Sequence, residues 1–231
     1  MKGIIPTKRI DHYFFPIVGS YYLVTALLGF GYSTANRLSA EGVLPFRVIV
    51  HGLLGGIWYA MFFLQVILIA AGRKNAHMKL GSYSVPIMIL VFISSIYTVL
   101  LRDPISFEKV PFSIQGFEIG LFTIGLIYVL LGYIYRYRAH HHKRYYLMSI
   151  VILSGAGINR FYKFIGVEMF NEFLIIFFLP LLLIVVYDLL IYRRLFKASW
   201  IGILLFVFNM LVLSRLLQLL ADYLRPILKA L

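Results

Sequence analysis

Long apolar runs alternate with short polar turns along the whole chain. Seven runs are long enough to cross a bilayer: residues 14–33, 46–71, 80–101, 115–136, 145–161, 171–192 and 199–220. A hydrocarbon core of about 30 Å takes about 20 residues of helix. Backbone N–H and C=O groups find no water there, so a spanning segment outside a closed barrel is a helix. The pattern predicts an all-α integral membrane protein, residues 1–231 forming a single domain of seven transmembrane helices. The connections are short, which makes consecutive spans antiparallel neighbours. The fifth run is the shortest and carries Gly155 and Gly157, where another helix can approach closely.

Composition strengthens the membrane reading. The chain is 61% hydrophobic and 17% aromatic, with 13% charged residues, whereas soluble domains carry about 25%. Mean hydropathy is +0.90. There is no cysteine, which excludes disulfides, thiolate catalysis and Cys-ligated zinc or iron–sulfur clusters. The net charge of +13 would suggest nucleic acid in a soluble protein. Here the basic residues lie at the ends of apolar runs, so the expectation is a bilayer partner and no nucleic acid. No small-residue cleavage site follows Lys2, Lys8 and Arg9, so the first run reads as a retained span rather than a signal peptide.

Charge also orients the bundle. The N-terminus and segments 72–79, 136–144 and 193–197 share one side of the predicted topology. With the residues flanking them, they hold 13 of the 22 basic residues and two acids, Asp11 and Asp188. By the positive-inside rule that side is cytoplasmic. The N-terminus is then cytoplasmic, the C-terminus outside, and the location the inner (plasma) membrane, multi-pass. Two of these cytoplasmic turns look alike: Arg73 is followed by His77 and Lys79, and Arg138 by His142 and Lys143. The likeness suggests that spans two–three and four–five are duplicated hairpins.

Candidate chemistry falls into two layers. His77 and His142 begin the third and fifth spans at the same cytoplasmic depth, and Asp188 ends the sixth near that surface. Two imidazoles and a carboxylate suit a divalent metal such as zinc or iron. Two imidazoles alone suit a b-type haem. His140 and His141 read as solvated members of their loop. In the second span His51, Trp58 and Gln65 are spaced by seven, which puts them on one helix face, with Gly52, Gly55 and Gly56 nearby. The outer half holds His51, Glu118, Asn159, Arg160, Glu172 and Arg215. Polar groups in a span usually face the bundle interior, and Arg215 wants a carboxylate, with Glu118 and Glu172 as candidates.

Several seven-span functions lack their residues. A retinal Schiff base needs a mid-membrane lysine, and the last span offers Asn209 and Arg215, with Lys197 only at its edge. There is no phosphate-binding glycine loop and no nucleophile elbow. Two bis-histidine haems need paired histidines in both membrane halves, and the outer half has only His51.

The ordered motifs are His51…Trp58…Gln65, Ala71-Gly72-Arg73…His77…Leu80-Gly81, His142-Lys143-Arg144, Arg160 and Tyr187-Asp188. Across residues 48–190 they resemble a group of uncharacterised bacterial polytopic integral membrane proteins. That group shows an intramembrane His, Gly-Arg…His-Arg-Arg-Leu-Gly, His-Lys-Arg-Leu-Met-Leu and Tyr-Asp. The resemblance implies shared positions and no particular reaction. This chain departs from it at two points. Tyr145 and Tyr146 separate Arg144 from Leu147-Met148, and Arg194-Leu195-Phe196-Lys197 stands where the group carries a further His. The adiponectin-receptor-like hydrolases offer an analogy of architecture only, seven spans with a zinc site near the cytoplasmic face.

Three functions fit these residues, and the sequence leaves open whether the protein is an enzyme. One is a metal- or haem-binding membrane protein with a redox or hydrolytic role, with His77, His142 and Asp188 as ligands and a quinone as partner. The second is a transporter whose outward-facing path is lined by His51, Glu118, Arg160, Glu172 and Arg215. The third is a non-catalytic subunit packed among other membrane subunits, which the 17 Tyr and 20 Phe suit.

Overall fold

The computed structural model of the protein describes residues 7–102, 114–167 and 179–230. Among them every regular element is a helix. In chain order these are α1 (Thr7–Glu41), α2 (Phe46–Ala70), α3 (Lys74–Gly81), α4 (Ser84–Leu100) and α5 (Ile114–Ile134). They continue as α6 (Ala139–Leu153), α7 (Gly155–Phe164), α8 (Leu179–Tyr192), α9 (Lys197–Phe208) and α10 (Ser214–Ala230). A π-helical turn, Asn209–Leu213, joins α9 to α10.

Five helical stretches are long and apolar enough to cross a membrane. They are Tyr13–Glu41, Phe46–Ala70, Lys74–Leu100, Ile114–Ile134 and Lys197–Leu228. Leucines and isoleucines on their outer faces stay exposed, as at Leu53, Ile93 and Leu204. In water such a surface would be an aggregation hazard; against acyl chains it is at home.

The other two predicted spans look different. Run 145–161 is divided at Ser154 into α6 and α7, of 15 and 10 residues. The Ser154 hydroxyl donates to the Ile150 carbonyl at 2.5 Å, a back-bond that bends helices. The bend brings Gly157 against α1: a methyl on Gly29 would strike the Gly157 carbonyl and the Phe161 backbone. Of run 171–192 the structure describes α8; the rest, Glu172 included, lies outside the described residues.

α5 is the hub. Half of its most apolar window is buried, against 17–33% in the other four long helices. It packs on α4, α6, α9 and α10. Its Gly116-Phe117-Glu118-Ile119-Gly120 segment is a small-xxx-small pattern of the kind that lets membrane helices touch backbone to backbone. Gly116 lies on the Ser214 carbonyl and Gly120 on the Asn209 side chain. Asn209, wholly buried at the start of the π turn, donates its amide to the Phe117 carbonyl at 3.2 Å. This buried Asn is therefore a tie between helices.

The basic turns are shorter than the hydropathy pattern implies, because helix begins inside each of them. After α2, Gly72 takes a left-handed φ of +72°. Arg73 N–H bonds the Leu68 carbonyl at 2.8 Å, and Gly72 N–H bonds Ile69 at 3.0 Å. Glycine makes this reversal at little steric cost, and α3 starts at once. His77 thus sits mid-helix. His140, His141 and His142 form the first turn of α6.

Candidate functional site

Each basic hairpin folds a histidine back onto the helix before it. α3 runs alongside the end of α2, and His77 Nδ1 meets the Gln65 carbonyl at 3.3 Å. α6 runs alongside the end of α5, and His142 Nδ1 meets the Gly132 carbonyl at 2.9 Å. A carbonyl can only accept, so in both rings Nδ1 carries the hydrogen. Both Nε2 atoms are then left with a lone pair, the arrangement that orients imidazoles as metal ligands. The two rings stand edge to face, centres 6.0 Å apart and planes at 83°. The pair expected from the likeness of the turns is therefore a real neighbourhood in space.

Polar and aromatic groups surround it. The Tyr146 ring lies 4.9 Å from the His142 ring. It fits there because position 132 is glycine: a methyl on Gly132 would collide with Tyr146. Ser84 Oγ donates to the Gly81 carbonyl at 2.7 Å, so the 2.6 Å contact between Tyr146 and Ser84 has the tyrosine as donor. Trp58, 2% exposed, stacks on Tyr146 at 6.4 Å. The Gln65 side chain lies on Gly81, one turn beyond His77 on the same face of α3. Among the described residues, both amide atoms of Gln65 and the Trp58 indole nitrogen are buried without a hydrogen-bond partner. Unsatisfied buried groups cost about 1–3 kcal/mol each, and natural proteins hold few of them without a reason.

Asp188 does not join this site, which corrects the expected three-ligand set. It is wholly buried and bonded to Arg144, which is 1% exposed. Arg144 Nε donates to Oδ1 at 2.8 Å, and Nη2 donates to the same oxygen. Oδ2 accepts from Ser199 at 2.5 Å and from the Phe196 backbone at 3.3 Å. The Phe196 ring covers the guanidinium at 3.7 Å. A carboxylate whose oxygens are taken in this way has no lone pair to give a metal. Among the described residues no group of three His, Asp or Glu converges as a metal site.

His142, Lys143 and Arg144 are consecutive yet face three environments. Lys143 Nζ reaches the Tyr192 hydroxyl at 3.0 Å and lies over Phe15, Tyr187 and Tyr192. His140, exposed, stacks on Phe196 at 5.0 Å, and the half-buried His141 lies against Tyr135. These aromatic contacts tie both histidines to the protein.

The second predicted layer is separate. His51 stands 14 residues before Gln65 on α2, about 21 Å up a helix at 1.5 Å per residue. The Ser94 and Ser95 hydroxyls both donate to the Val91 carbonyl. Their oxygens therefore accept from His51 Nδ1, at 3.5 and 3.3 Å. Glu118 pairs with Arg102, which sequence reasoning passed over, at 2.5 and 3.3 Å. Arg160 donates to Ser33 at 3.3 Å and to Ala156 at 2.9 Å, under the Phe30 ring. It lies within electrostatic reach of Glu118 and His51, and Asn159 is beside it on α7. Arg215 is exposed. The pairing expected between it and Glu118 is not made, because Ser214, not Arg215, faces α5.

Comparison with known protein families, with curated proteins and with solved structures finds no match.

Proposed function

We propose that this protein is a seven-span membrane protein that holds one transition-metal ion between His77 and His142, at the cytoplasmic face of the inner membrane. One observation carries the reading. Two imidazoles from separate hairpins stand with ring centres 6.0 Å apart, each with Nδ1 fixed by a carbonyl. Bonds of about 2.0–2.1 Å from one metal to two Nε2 atoms put ring centres about 5–6 Å apart. The buried, unpartnered Gln65 amide adds a polar group beside the pair.

Orientation supports the cytoplasmic placement. Arg73, Lys74, Lys79, Arg136 and Arg138 lie in the same two turns as the histidines, so the positive-inside rule puts the pair on the inner side. With α6–α7 and α8 each counted as a crossing, this reading has the N-terminus inside and the C-terminus outside. The motifs that build the pair are also those shared with the bacterial membrane-protein group, which supports membership of it.

An absorption spectrum and elemental analysis of protein purified from its native membrane test this reading. The expected result is about one metal ion per chain with no haem band, and loss of the ion in His142→Ala. A Soret band would make the occupant a b-type haem. Colourless protein free of metal would overturn the proposal.

A further inference from the structure

Basic side chains gather where the α5–α6 turn meets the α8–α9 turn, and their role is independent of any metal at the histidine pair. We propose that Arg138, Arg194 and Lys197 form a binding site for the headgroup of an anionic phospholipid whose acyl chains lie along α9.

Ring contacts place the three cations together. The His141 ring has Tyr135 at 5.4 Å and Phe196 at 6.4 Å. Arg138 lies over the Tyr135 ring at 5.7 Å, and Arg194 over the Phe196 ring at 4.5 Å. Lys197 follows Phe196 directly and opens α9. All three cations are within electrostatic reach of His141, and all three are exposed. Two turns far apart in sequence thus bring their basic side chains to one patch.

Positive charge is in excess there. Arg136, Arg138, Lys143, Arg144, Arg193, Arg194 and Lys197 lie in or beside the two turns. Asp188, the acid at the end of α8, is held by Arg144. Asp11, the other acid assigned to this side of the bundle, can offset one more cation. Like charges gathered in this way repel one another, and an anion between them relieves the repulsion.

The patch is also pinned in place. Asp188 accepts from the Phe196 N–H and the Ser199 hydroxyl while bonded to Arg144 of α6. The second turn is therefore tied to the helix that follows the first. Arg193 closes α8 with a φ of +56°, a region rare for a residue with a side chain, and such strain persists where surrounding bonds fix the backbone. A headgroup would meet cations that are already in position.

The surface of α9 below them favours a lipid over a free ion. Lys197, Trp200 and Leu204 are spaced by three and four, which puts them on one helix face. Both Trp200 and Leu204 are exposed. At 1.5 Å per residue they stand about 4.5 and 10 Å from Lys197 along the axis. A cation, then an indole, then an aliphatic side chain repeats the order of headgroup, interface and acyl chain in a leaflet. Leu189 and Leu190 of α8, also exposed, add apolar surface near the same end. Basic clusters at the ends of membrane helices attract anionic headgroups.

The test uses full-length protein in phosphatidylcholine vesicles. A rising fraction of the lipid is replaced by brominated phosphatidylglycerol or, separately, by brominated phosphatidylcholine. Bromine quenches a tryptophan that it touches. Trp58 is 2% exposed and Trp200 42%, so quenching reports contact at Trp200 and is expected to vanish in Trp200→Phe. Phosphatidylglycerol is expected to quench with an apparent affinity at least about tenfold above phosphatidylcholine, and each of Arg138→Gln, Arg194→Gln and Lys197→Gln to lower that preference by up to about fivefold. The triple variant should show no preference, and Arg194→Lys, which keeps the charge, should retain most of it. Lys74→Gln, in the other basic turn, should leave it unchanged. Equal quenching by the two lipids, or a preference that survives the triple variant, would overturn the proposal. So would an equal loss in Lys74→Gln, which would mark diffuse attraction to the whole basic side. Sodium phosphate that reverses the quenching more strongly than sodium chloride of equal ionic strength would assign the cluster to free phosphate and overturn the lipid site.

Discussion

Replacing Arg144 with leucine is expected to lower stability by about 3–5 kcal/mol, the penalty for stranding a buried charge. Arg144 and Asp188 are 1% and 0% exposed, so water cannot take over when the guanidinium is removed. The carboxylate keeps its bonds from Ser199 and the Phe196 backbone but loses its counter-charge. The Phe196 ring loses one of its cation contacts as well. Asp188→Leu should be comparably damaging, because it strands the cation. The double variant Arg144→Leu/Asp188→Leu should be less destabilised than the sum of the two, since apolar pairs replace buried ion pairs at little cost. Thermal unfolding of the four proteins in detergent gives the comparison. Additive losses would show that the two residues act independently, against the geometry.

Gly120→Leu is expected to be nearly as severe. A side chain at this position of α5 would enter the space of Asn209, whose amide bonds the Phe117 carbonyl. Overpacking a tight interface costs about 1–3 kcal/mol, occasionally more. Here loss of the Asn209 bond adds about 1 kcal/mol. Separation of α5 from α10 would also expose the Gly116–Ser214 contact. Gly31→Leu is the control, because among the described residues nothing lies within 4 Å of a Cβ at that position. Size-exclusion profiles and melting temperatures should show Gly120→Leu aggregated or strongly shifted and Gly31→Leu close to wild type. Equal behaviour of the two would remove the close approach of α5 and α10 from the account.

Much of this was legible in the sequence, and the reasons are physical. A bilayer imposes a minimum length on apolar runs, so five spans stand out by length and hydropathy alone. The break at Ser154 was not legible, because a serine–carbonyl back-bond leaves hydropathy unchanged. Approach at a glycine was legible at Gly157, where small residues interrupt an apolar run and α1 lies close. The Gly116–Gly120 contact with a π turn was not, since it depends on which face of α10 turns inward. Proximity of His77 and His142 was legible from their matching places in two hairpins.

The role of Asp188 was misread, and the signal for the correct partner was present. An acid in a span demands a cation, and Arg144 is the one basic residue of the His-Lys-Arg run followed directly by apolar and aromatic positions. Glu118 misled in a similar way. Arg102 lies in a turn rather than in a span, so it drew less attention than Arg215. The tautomers of the three structured histidines became apparent only once their hydrogen-bond partners were in place. That is the information that separates a ligand-competent imidazole from a polar side chain at a headgroup.

The claim that one ion is shared by two hairpins is tested most directly by X-ray absorption at the edge of the metal that copurifies with the protein. The account predicts a first shell of two imidazole nitrogens, lost together with the metal in His77→Ala/His142→Ala. A shell made only of oxygen, or one unchanged in the double variant, would contradict it.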